Sequence, residues 1–407
     1  MAPCYKKFQR FDPASDATKE VLATKYKNEV PVGTEGPLSV TYPDVYGPFN
    51  GAWMEILEKL GWGNTNDPMS GDKIGAFHTG IAVHPKTKTR GYPATAYYNE
   101  VSKRPNLQVL LETHVEKVLF RKEAGSPVVA TGVVARTKDG EIHEIAAKKE
   151  VILAAGALQP PQILELSGVG QRELLERHNI PVADGQVSGD GLRDPNVAQA
   201  VLKQFQEAQS GTLVGMPVSV ACLPSVNFFE DKCWILTRRH AYPYIQGRDK
   251  TAELLAKKSE KKYITVMAVN NHPFSRGIVH IRSSDAKEKP MFEPRYLSHP
   301  LDLEILARDT PYLESVVKTE PFASLLKQGS RLPEGADPTT LEGANELVKE
   351  RLLSIMHPAG TCAMTPKELG GVVNDRLKVH DAKNLRVVDA SVFPLEPLVI
   401  YKQRCIL

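Results

Sequence analysis

The sequence predicts an α/β protein that combines part of a buried parallel sheet with an antiparallel sheet covered by helices. Residues 151–155 are all apolar, which is typical of a strand buried on both faces of a parallel sheet. A glycine turn and a helical segment follow this strand directly. Residues 263–269 and 277–282 alternate with period two and are followed by helical segments, which indicates the antiparallel sheet. Together these patterns predict a composite α/β architecture.

The elements predicted before residue 150 are short. Residues 1–47 are polar and rich in proline, and we expect them to be extended or irregular. Residues 48–61 predict a packing helix, because apolar side chains recur at helical spacing and a glycine ends the pattern. Apolar runs predict strands at residues 107–111, 115–120, 128–136 and 141–147. The last two of these flank an Asp-Gly pair, which indicates a β-hairpin.

Residues 151–168 combine a strand, a glycine turn and a helix. Gly156 follows the strand, two prolines suit the first turn of a helix at 162–166, and Gly168 ends it. This geometry lets backbone N–H groups approach a phosphate or a flat cofactor. Any buried βα unit has a similar pattern, so a binding role and a purely structural role both remain open here.

Helices are predicted at residues 171–178 and 197–208. A second region from residue 211 to about 354 is predicted to combine the antiparallel sheet with helices at 301–313 and 341–353. Residues 187–195 are polar and rich in glycine. They lack the third glycine and the preceding strand of a dinucleotide-binding fingerprint, so they do not predict a nucleotide site.

A polar loop near the C-terminal end is the strongest candidate for a catalytic site. Its sequence, residues 357–361, is His-Pro-Ala-Gly-Thr, and a short apolar strand at 385–388 ends in Asp389 soon afterwards. His357 can take a proton from a hydroxyl near neutral pH. The bland alternatives are a structural loop histidine and an aspartate that caps a helix N-terminus.

The composition excludes several classes of function. The 407 residues carry a net charge of +3 with acids and bases mixed, which gives no electrostatic case for nucleic acid or an anionic membrane. The five cysteines form no C-x-x-C pair and the histidines lack metal-binding spacing, so we expect no metal site. There is no G-x-S-x-G elbow and no P-loop. No apolar run reaches the ~20 residues of a membrane helix and no signal peptide is evident, so we expect a cytoplasmic protein.

Several segments, taken in chain order, resemble one enzyme family. They are residues 104–107 with Val115, residues 156–170 (GALQPPQILELSGVG), the loop at 357–361, and residues 370–373 and 385–391. The chain resembles the glucose-methanol-choline (GMC) family of FAD-dependent oxidoreductases, most closely its fungal members. The second family signature usually has Ser or Thr where this chain has Pro160.

The resemblance implies the cofactor FAD and a set of site residues. His357 would be the catalytic base. The Val115 backbone would meet the adenine end of FAD. Gly156 would lie at the turn beside the cofactor, and Asp389 and Ala390 would touch its flavin side. The fold implied is a partial Rossmann-like FAD-binding region, residues 1–195, a substrate-binding domain, 196–354, and a return to the FAD region, 355–407.

Three segments depart from the family pattern. Nothing before Gly36 could form the strand–G-x-G-x-x-G–helix unit, which needs roughly 30 residues or more. Residues 185–193 lack the expected flavin segment, and after Leu398 the stretch with the second active-site residue is replaced. On this comparison we expect a chain truncated at both ends.

Three functions follow as hypotheses. The first is an FAD-dependent alcohol oxidase or dehydrogenase acting on a small-molecule alcohol in a fungal natural-product pathway. The second is an inactive, flavin-free remnant of such an enzyme, or a fragment that results from an incorrect gene structure, which is inert or binds a small molecule. The third and weakest is a flavin-containing lyase. The substrate, the electron acceptor and the oligomeric state do not follow from the sequence.

Overall fold

The computed structural model of the chain describes residues 6–22, 33–42, 48–63, 75–78, 80–87, 89–122, 125–183, 219–222, 266–270, 273–327, 337–354 and 357–394. The helix predicted at 197–208 and the polar segment 187–195 lie outside these residues. The division into regions 1–195, 196–354 and 355–407 stays a prediction.

Short strands and helices alternate along the described residues, as expected of an α/β protein. The strands are β1 (Gln9–Phe11), β2 (Leu38–Val40), β3 (Gly75–His78), β4 (Thr113–Arg121), β5 (Val128–Thr137), β6 (Ile142–Ala146), β7 (Val151–Leu153), β8 (Ser219–Cys222), β9 (Ile278–His280), β10 (Met291–Glu293), β11 (Ala382–Lys383) and β12 (Leu385–Val387). The helices are α1 (Asp16–Leu22), α2 (Pro48–Lys59), α3 (Asn99–Val101), α4 (Gln159–Leu166), α5 (Arg172–Arg177), α6 (Pro300–Lys318), α7 (Phe322–Leu325) and α8 (Leu341–Arg351).

The predicted hairpin is the centre of a four-stranded sheet. β5 pairs with β4 and β6 in antiparallel register and with β11 in parallel register. The turn between β5 and β6 contains Gly140 at φ +92°, a left-handed conformation that the Asp-Gly pair favours. The β5 side chains are mostly buried, whereas those of β6 are all exposed. The strands predicted at 115–120, 128–136 and 141–147 are therefore confirmed with small changes of boundary.

β7 and β12 form a parallel pair that lies next to the candidate site. Leu385 pairs with Val151 and Val387 with Leu153, and all four side chains belong to one buried apolar cluster. Parallel pairing joins the run at 151–155 to the strand before Asp389, as the fold class requires. The expectation that β7 is buried on both faces is wrong, because the Ile152 side chain is 55% exposed.

α4 follows β7 and packs almost entirely inside the protein. Its two prolines stand at the first helical positions, where a missing N–H breaks no helical bond. Gly168 ends the helix at φ +85°, and a Cβ there would lie 2.3 Å from the carbonyl oxygen of Pro181. Glycine is therefore required both by the conformation and by the close approach of another backbone.

The strand predicted at 107–111 is wrong. These residues are irregular or in a turn, and Leu110 and Leu111 are 62% and 79% exposed. An apolar run forms a strand only where another strand supplies its hydrogen-bond partners. No strand among the described residues pairs with this run, so its apolar residues alone do not make it a strand.

The second half of the described chain matches the prediction in part. β9 and β10 form an antiparallel hairpin, and α6 and α8 pack against each other, which confirms the helices expected at 301–313 and 341–353. Residues 266–269, the described part of the strand predicted at 263–269, form no strand. The N-terminal 47 residues contain more regular structure than expected, because they contribute α1 and the parallel pair of β1 with β2.

Candidate active site

The candidate site begins at the turn that follows β7. Gly156 has φ +81°, a left-handed conformation that glycine adopts without strain. A Cβ added there would meet no atom of the described residues within 4 Å, so the described chain leaves space beside this turn. Whether the turn binds a cofactor stays a prediction.

The carboxylate of Asp389 ties this turn to the end of β12. Its Oδ2 accepts the N–H of Gly156 at 3.0 Å. Its Oδ1 accepts the N–H of Ser391 at 2.9 Å and the Ser391 hydroxyl at 2.5 Å. Asp389 thereby caps the short 3₁₀ turn Ala390–Val392, which is the structural role considered for it. Burial raises the pKa of the Asp389 carboxyl, although the hydrogen bonds from Ser391 and Gly156 act to lower it.

The loop that carries His357 lies along the segment after Asp389. Three backbone hydrogen bonds fix their relative position. They run from the N–H groups of Gly360, Cys362 and Met364 to the carbonyl oxygens of Ala390, Ser391 and Val392, at 3.2, 2.8 and 2.9 Å. The histidine loop and the strand-end acid are therefore parts of one site.

A side-chain hydrogen bond also joins the His357 loop to the Gly156 turn. The hydroxyl of Thr361 donates to the carbonyl oxygen of Ala157 at 2.5 Å. Ala157 and Ala390 are buried against each other, with Ala359 and Phe393 packed on them. These small side chains allow three stretches of backbone to approach closely.

His357 is suited to accept a proton. Its side chain is partly buried, and this desolvation lowers the pKa of its imidazole below the ordinary value. A neutral imidazole has one ring nitrogen that carries no proton and can take one from a hydroxyl. His357 is thus in the required protonation state at neutral pH.

A cavity of about 210 Å³ lies between the start of β4 and α4. Val115 and Ala155 both line it, so the structure brings the predicted adenine-side residue close to the end of β7. His114 and Gln162 form another part of the lining, and each holds a carbonyl of the turn between β9 and β10. The His114 Nε2 binds Ala286 O at 3.2 Å, and the Gln162 amide donates to Glu288 O at 2.7 Å.

The predicted site residues fall into two groups. Gly156, Asp389 and Ala390 meet the loop of His357 at the end of β7. Val115 lies instead at the cavity beside α4. Ala155 also lines this cavity and precedes Gly156 in the chain, so the cavity adjoins the first group. An extended ligand could run between the two places. The roles of these five residues toward a cofactor or substrate stay predictions.

Comparison with known proteins identifies the family. Family models described as GMC oxidoreductase match residues 6–197, for the N-terminal part, and residues 273–399, for the C-terminal part. The chain belongs to the GMC oxidoreductase family. The match to both models confirms the resemblance found in the sequence.

Curated relatives of this GMC oxidoreductase include fungal dehydrogenases. Dehydrogenase citC of Monascus ruber is 25% identical over 470 residues, which cover 97% of this chain and 74% of that protein. Dehydrogenase pkfF of Emericella nidulans is 30% identical over 401 residues, which cover 89% of this chain and 63% of that protein.

Solved structures confirm the α/β fold class. An FAD-dependent oxidoreductase from Chaetomium thermophilum superposes with a TM-score of 0.78 at 24% identity, covering 99% of this chain and 77% of that one. A fungal aryl-alcohol oxidase superposes with a TM-score of 0.74 at 23% identity, covering 99% and 76%.

The cofactor that GMC family membership indicates is FAD, and the described site fits part of it. At about 210 Å³ the cavity is smaller than the ~300–1,000 Å³ of most ligand pockets, so it suits one ring system rather than a whole dinucleotide. Its described lining is neutral apart from Glu116, which is paired with Arg136 at 2.5 Å. A neutral ring fits this lining. A pyrophosphate is best held by Lys or Arg side chains, and the described lining contains neither residue type.

A buried hydrogen-bonded pair that the sequence did not predict joins α4 to the β9–β10 hairpin. Glu165 accepts from His280 Nδ1 at 2.7 Å and from the backbone N–H of Ile281 at 2.9 Å. Both side chains are at most 9% exposed. The available signal was the single acidic residue of α4, but its partner lies 115 residues away.

Two negative findings apply to the described residues. No helix among them combines the length and the apolar character needed to cross a membrane. No group of three or more His, Cys, Asp or Glu side chains among them is arranged to hold a metal ion.

Proposed function

We propose that this GMC oxidoreductase is an FAD-dependent alcohol dehydrogenase or oxidase that acts on a small carbinol in a fungal natural-product pathway. The single observation that carries the proposal is the convergence of the His357 loop and Asp389 on the Gly156 turn. The loop that carries the proposed base, whose pKa is lowered by burial, is thereby held against the turn after β7. The names of the relatives support the reaction class, since citC and pkfF are called dehydrogenases.

In this proposal His357 transfers the proton, and the other site residues position the loop and the cofactor. The neutral imidazole of His357 accepts the proton of the substrate hydroxyl. The site loop is stiffened by Pro358, whose φ is fixed, and by its hydrogen bonds to residues 390–392. Asp389 holds the Gly156 turn, and Val115 and Ala155 would hold the ring at the other end of the cofactor. When bound, FAD supplies the hydride acceptor.

The first test is whether the purified chain holds flavin. The protein is incubated with FAD and desalted, and its visible spectrum is recorded. A band near ~450 nm that co-purifies in a near-equimolar amount supports the proposal. A folded protein that stays colourless after this treatment would overturn it for this chain.

The second test concerns His357 in the flavin-loaded protein. Replacing His357→Ala should lower the rate of alcohol oxidation by about 10²-fold or more, because general-base catalysis contributes that much. His143→Ala is the matched control, since His143 is an exposed residue of β6 whose side chain is 51% accessible. Equal rates for the His357 variant and the wild type would remove His357 from the role of base.

A second candidate function is a flavin-free protein that binds a smaller, neutral ligand. The charge of the site favours it, because the described cavity lining has the carboxylate of Glu116 and no lysine or arginine. The N–H of Gly156, a donor that a phosphate could use, is already bound to Asp389. Lack of flavin binding together with saturable binding of a neutral heteroaromatic probe such as adenosine would support this alternative.

A further inference from the structure

The bonds around the His357 loop form a closed triangle of three backbone segments. The first is the turn at Gly156 and Ala157, the second is residues 389–392, and the third is the loop itself. Asp389 joins the first two through Gly156 N–H, and backbone bonds join the second to the third. The remaining side of the triangle, from loop to turn, is made by the hydroxyl of Thr361.

We propose that Thr361 is a positioning residue, whose hydroxyl sets the distance of the His357 loop from the Gly156 turn by donating to the carbonyl of Ala157. The proposal rests on the proposed function, because it assigns proton transfer to His357. Thr361 itself does not touch the reacting atoms. Thr361 affects the imidazole of His357 through the intervening loop residues 358–360.

Two features of the surroundings make the position of the His357 loop depend on this hydrogen bond. The backbone hydrogen bonds that the loop donates at Gly360, Cys362 and Met364 run to residues 390–392 and not to the turn at Gly156. The loop packs on the turn through the small side chain of Ala359, and Phe393 also packs on Ala157 and Ala390. Apolar packing is not directional, so the hydrogen bond from Thr361 adds a directional contact between the loop and the turn. A displacement of about 1 Å at a reacting group can cost roughly 10²-fold in rate.

The variants that test the proposal differ in one functional group. Thr361→Val keeps the shape and removes the hydroxyl, whereas Thr361→Ser keeps the hydroxyl and removes a methyl group. Thr131→Val is the matched control, because the partly buried Thr131 hydroxyl also donates to a backbone carbonyl, that of Leu119 at 3.2 Å. It lies in β5 and not in the candidate site. Melting temperatures establish that each variant is folded.

The first readout needs neither flavin nor activity. The imidazole of His357 is titrated by NMR, and its signal among the 11 histidines is assigned by its loss in His357→Gln. We expect Thr361→Val to raise the pKa of His357 toward the ordinary value, because a looser loop is better hydrated. Amide exchange at residues 360–364 should become about five-fold faster, as for the loss of one hydrogen bond. Thr361→Ser and Thr131→Val should leave both quantities at the wild-type level.

The second readout uses the flavin-loaded protein. Thr361→Val should lower kcat by about 10-fold or more and change KM by less than a factor of ~3, since the loss affects geometry rather than substrate contacts. Thr361→Ser should restore kcat.

The outcomes separate this proposal from the proposed function. A titration and an exchange rate in Thr361→Val equal to those of the wild type would overturn the positioning role, even if the enzyme is active. A colourless wild type whose His357 still responds to Thr361→Val would retain the positioning role and overturn the oxidoreductase. Equal responses to Thr361→Val and Thr361→Ser would show that the hydroxyl is not responsible.

Discussion

Replacement of Glu165 by leucine should destabilise the fold strongly. Glu165 is 2% exposed and accepts two hydrogen bonds, from His280 Nδ1 and from Ile281 N–H. Leucine is of similar size, so the change leaves two buried donors without their acceptor and opens little cavity. Each buried donor without a partner costs about 1–3 kcal/mol.

We therefore expect Glu165→Leu to lower the free energy of unfolding by about 2–6 kcal/mol, from two donors left without an acceptor. Equilibrium unfolding in urea measures it, followed both by tryptophan fluorescence and by circular dichroism. The two signals must coincide, because a chain of this length can unfold in more than one step. The control is Lys138→Gln, which removes an ion pair of equally short distance, 2.7 Å, whose side chains are 69% and 65% exposed. It should cost less than about 1 kcal/mol.

A double-mutant cycle decides whether the pair itself is responsible. His280→Phe alone should also be costly, because it leaves the buried Glu165 carboxylate without one of its two hydrogen-bond donors. The double variant, Glu165→Leu with His280→Phe, should be much less destabilised than the sum of the two, by roughly 2 kcal/mol or more. Additive effects, or a Glu165→Leu variant within ~1 kcal/mol of the wild type, would refute the buried pair as a tie between α4 and the hairpin.

Further predictions concern pH and backbone conformation. Because burial lowers the pKa of His357, kcat/KM should stay constant as pH falls through the ordinary histidine value of ~6.5 and decline at a lower pH; a decline centred above 6.5 in the pH profile would contradict the assignment. Burial raises the pKa of Asp309 to about 7, above its unfolded value, so its ionisation weakens the folded state as pH rises through that range. Asp309→Asn should accordingly raise the melting temperature more at pH 8 than at pH 5, and an equal gain at both would count against the raised pKa. Gly168→Ala should lower the melting temperature more than Gly140→Ala, because both have positive φ but a Cβ would clash with Pro181 O only at Gly168.

The elements that the sequence predicted well are those whose signals are local. The β5–β6 hairpin depends on an Asp-Gly turn, and α4 depends on prolines at its start and Gly168 at its end. Each signal acts within a few residues and does not require knowledge of distant partners. The site loop belongs to this group too, because the motif at 357–361 and the strand before Asp389 lie near each other along the chain.

The errors arose where structure depends on distant partners. The run at 107–111 has strand-like residues, but a strand needs a neighbour to complete its hydrogen bonds, and none pairs with it in the described chain. The apolar run at β7 predicted burial on both faces, yet Ile152 is 55% exposed. The apolar residues of a segment show that it can be buried. They do not show whether another part of the chain packs on it. The tie between Glu165 and His280 was missed for the same reason.

The structural and functional interpretations of Asp389 turn out to be compatible. A buried carboxylate must find donors, since leaving it without hydrogen bonds is costly. Asp389 finds them in the N–H of Gly156 and in the N–H and hydroxyl of Ser391. The bonds that satisfy the carboxylate also fix the turn after β7 against the segment that holds the His357 loop. The cap thereby contributes to the position of the His357 loop relative to this turn, and contact of Asp389 with a flavin stays a prediction.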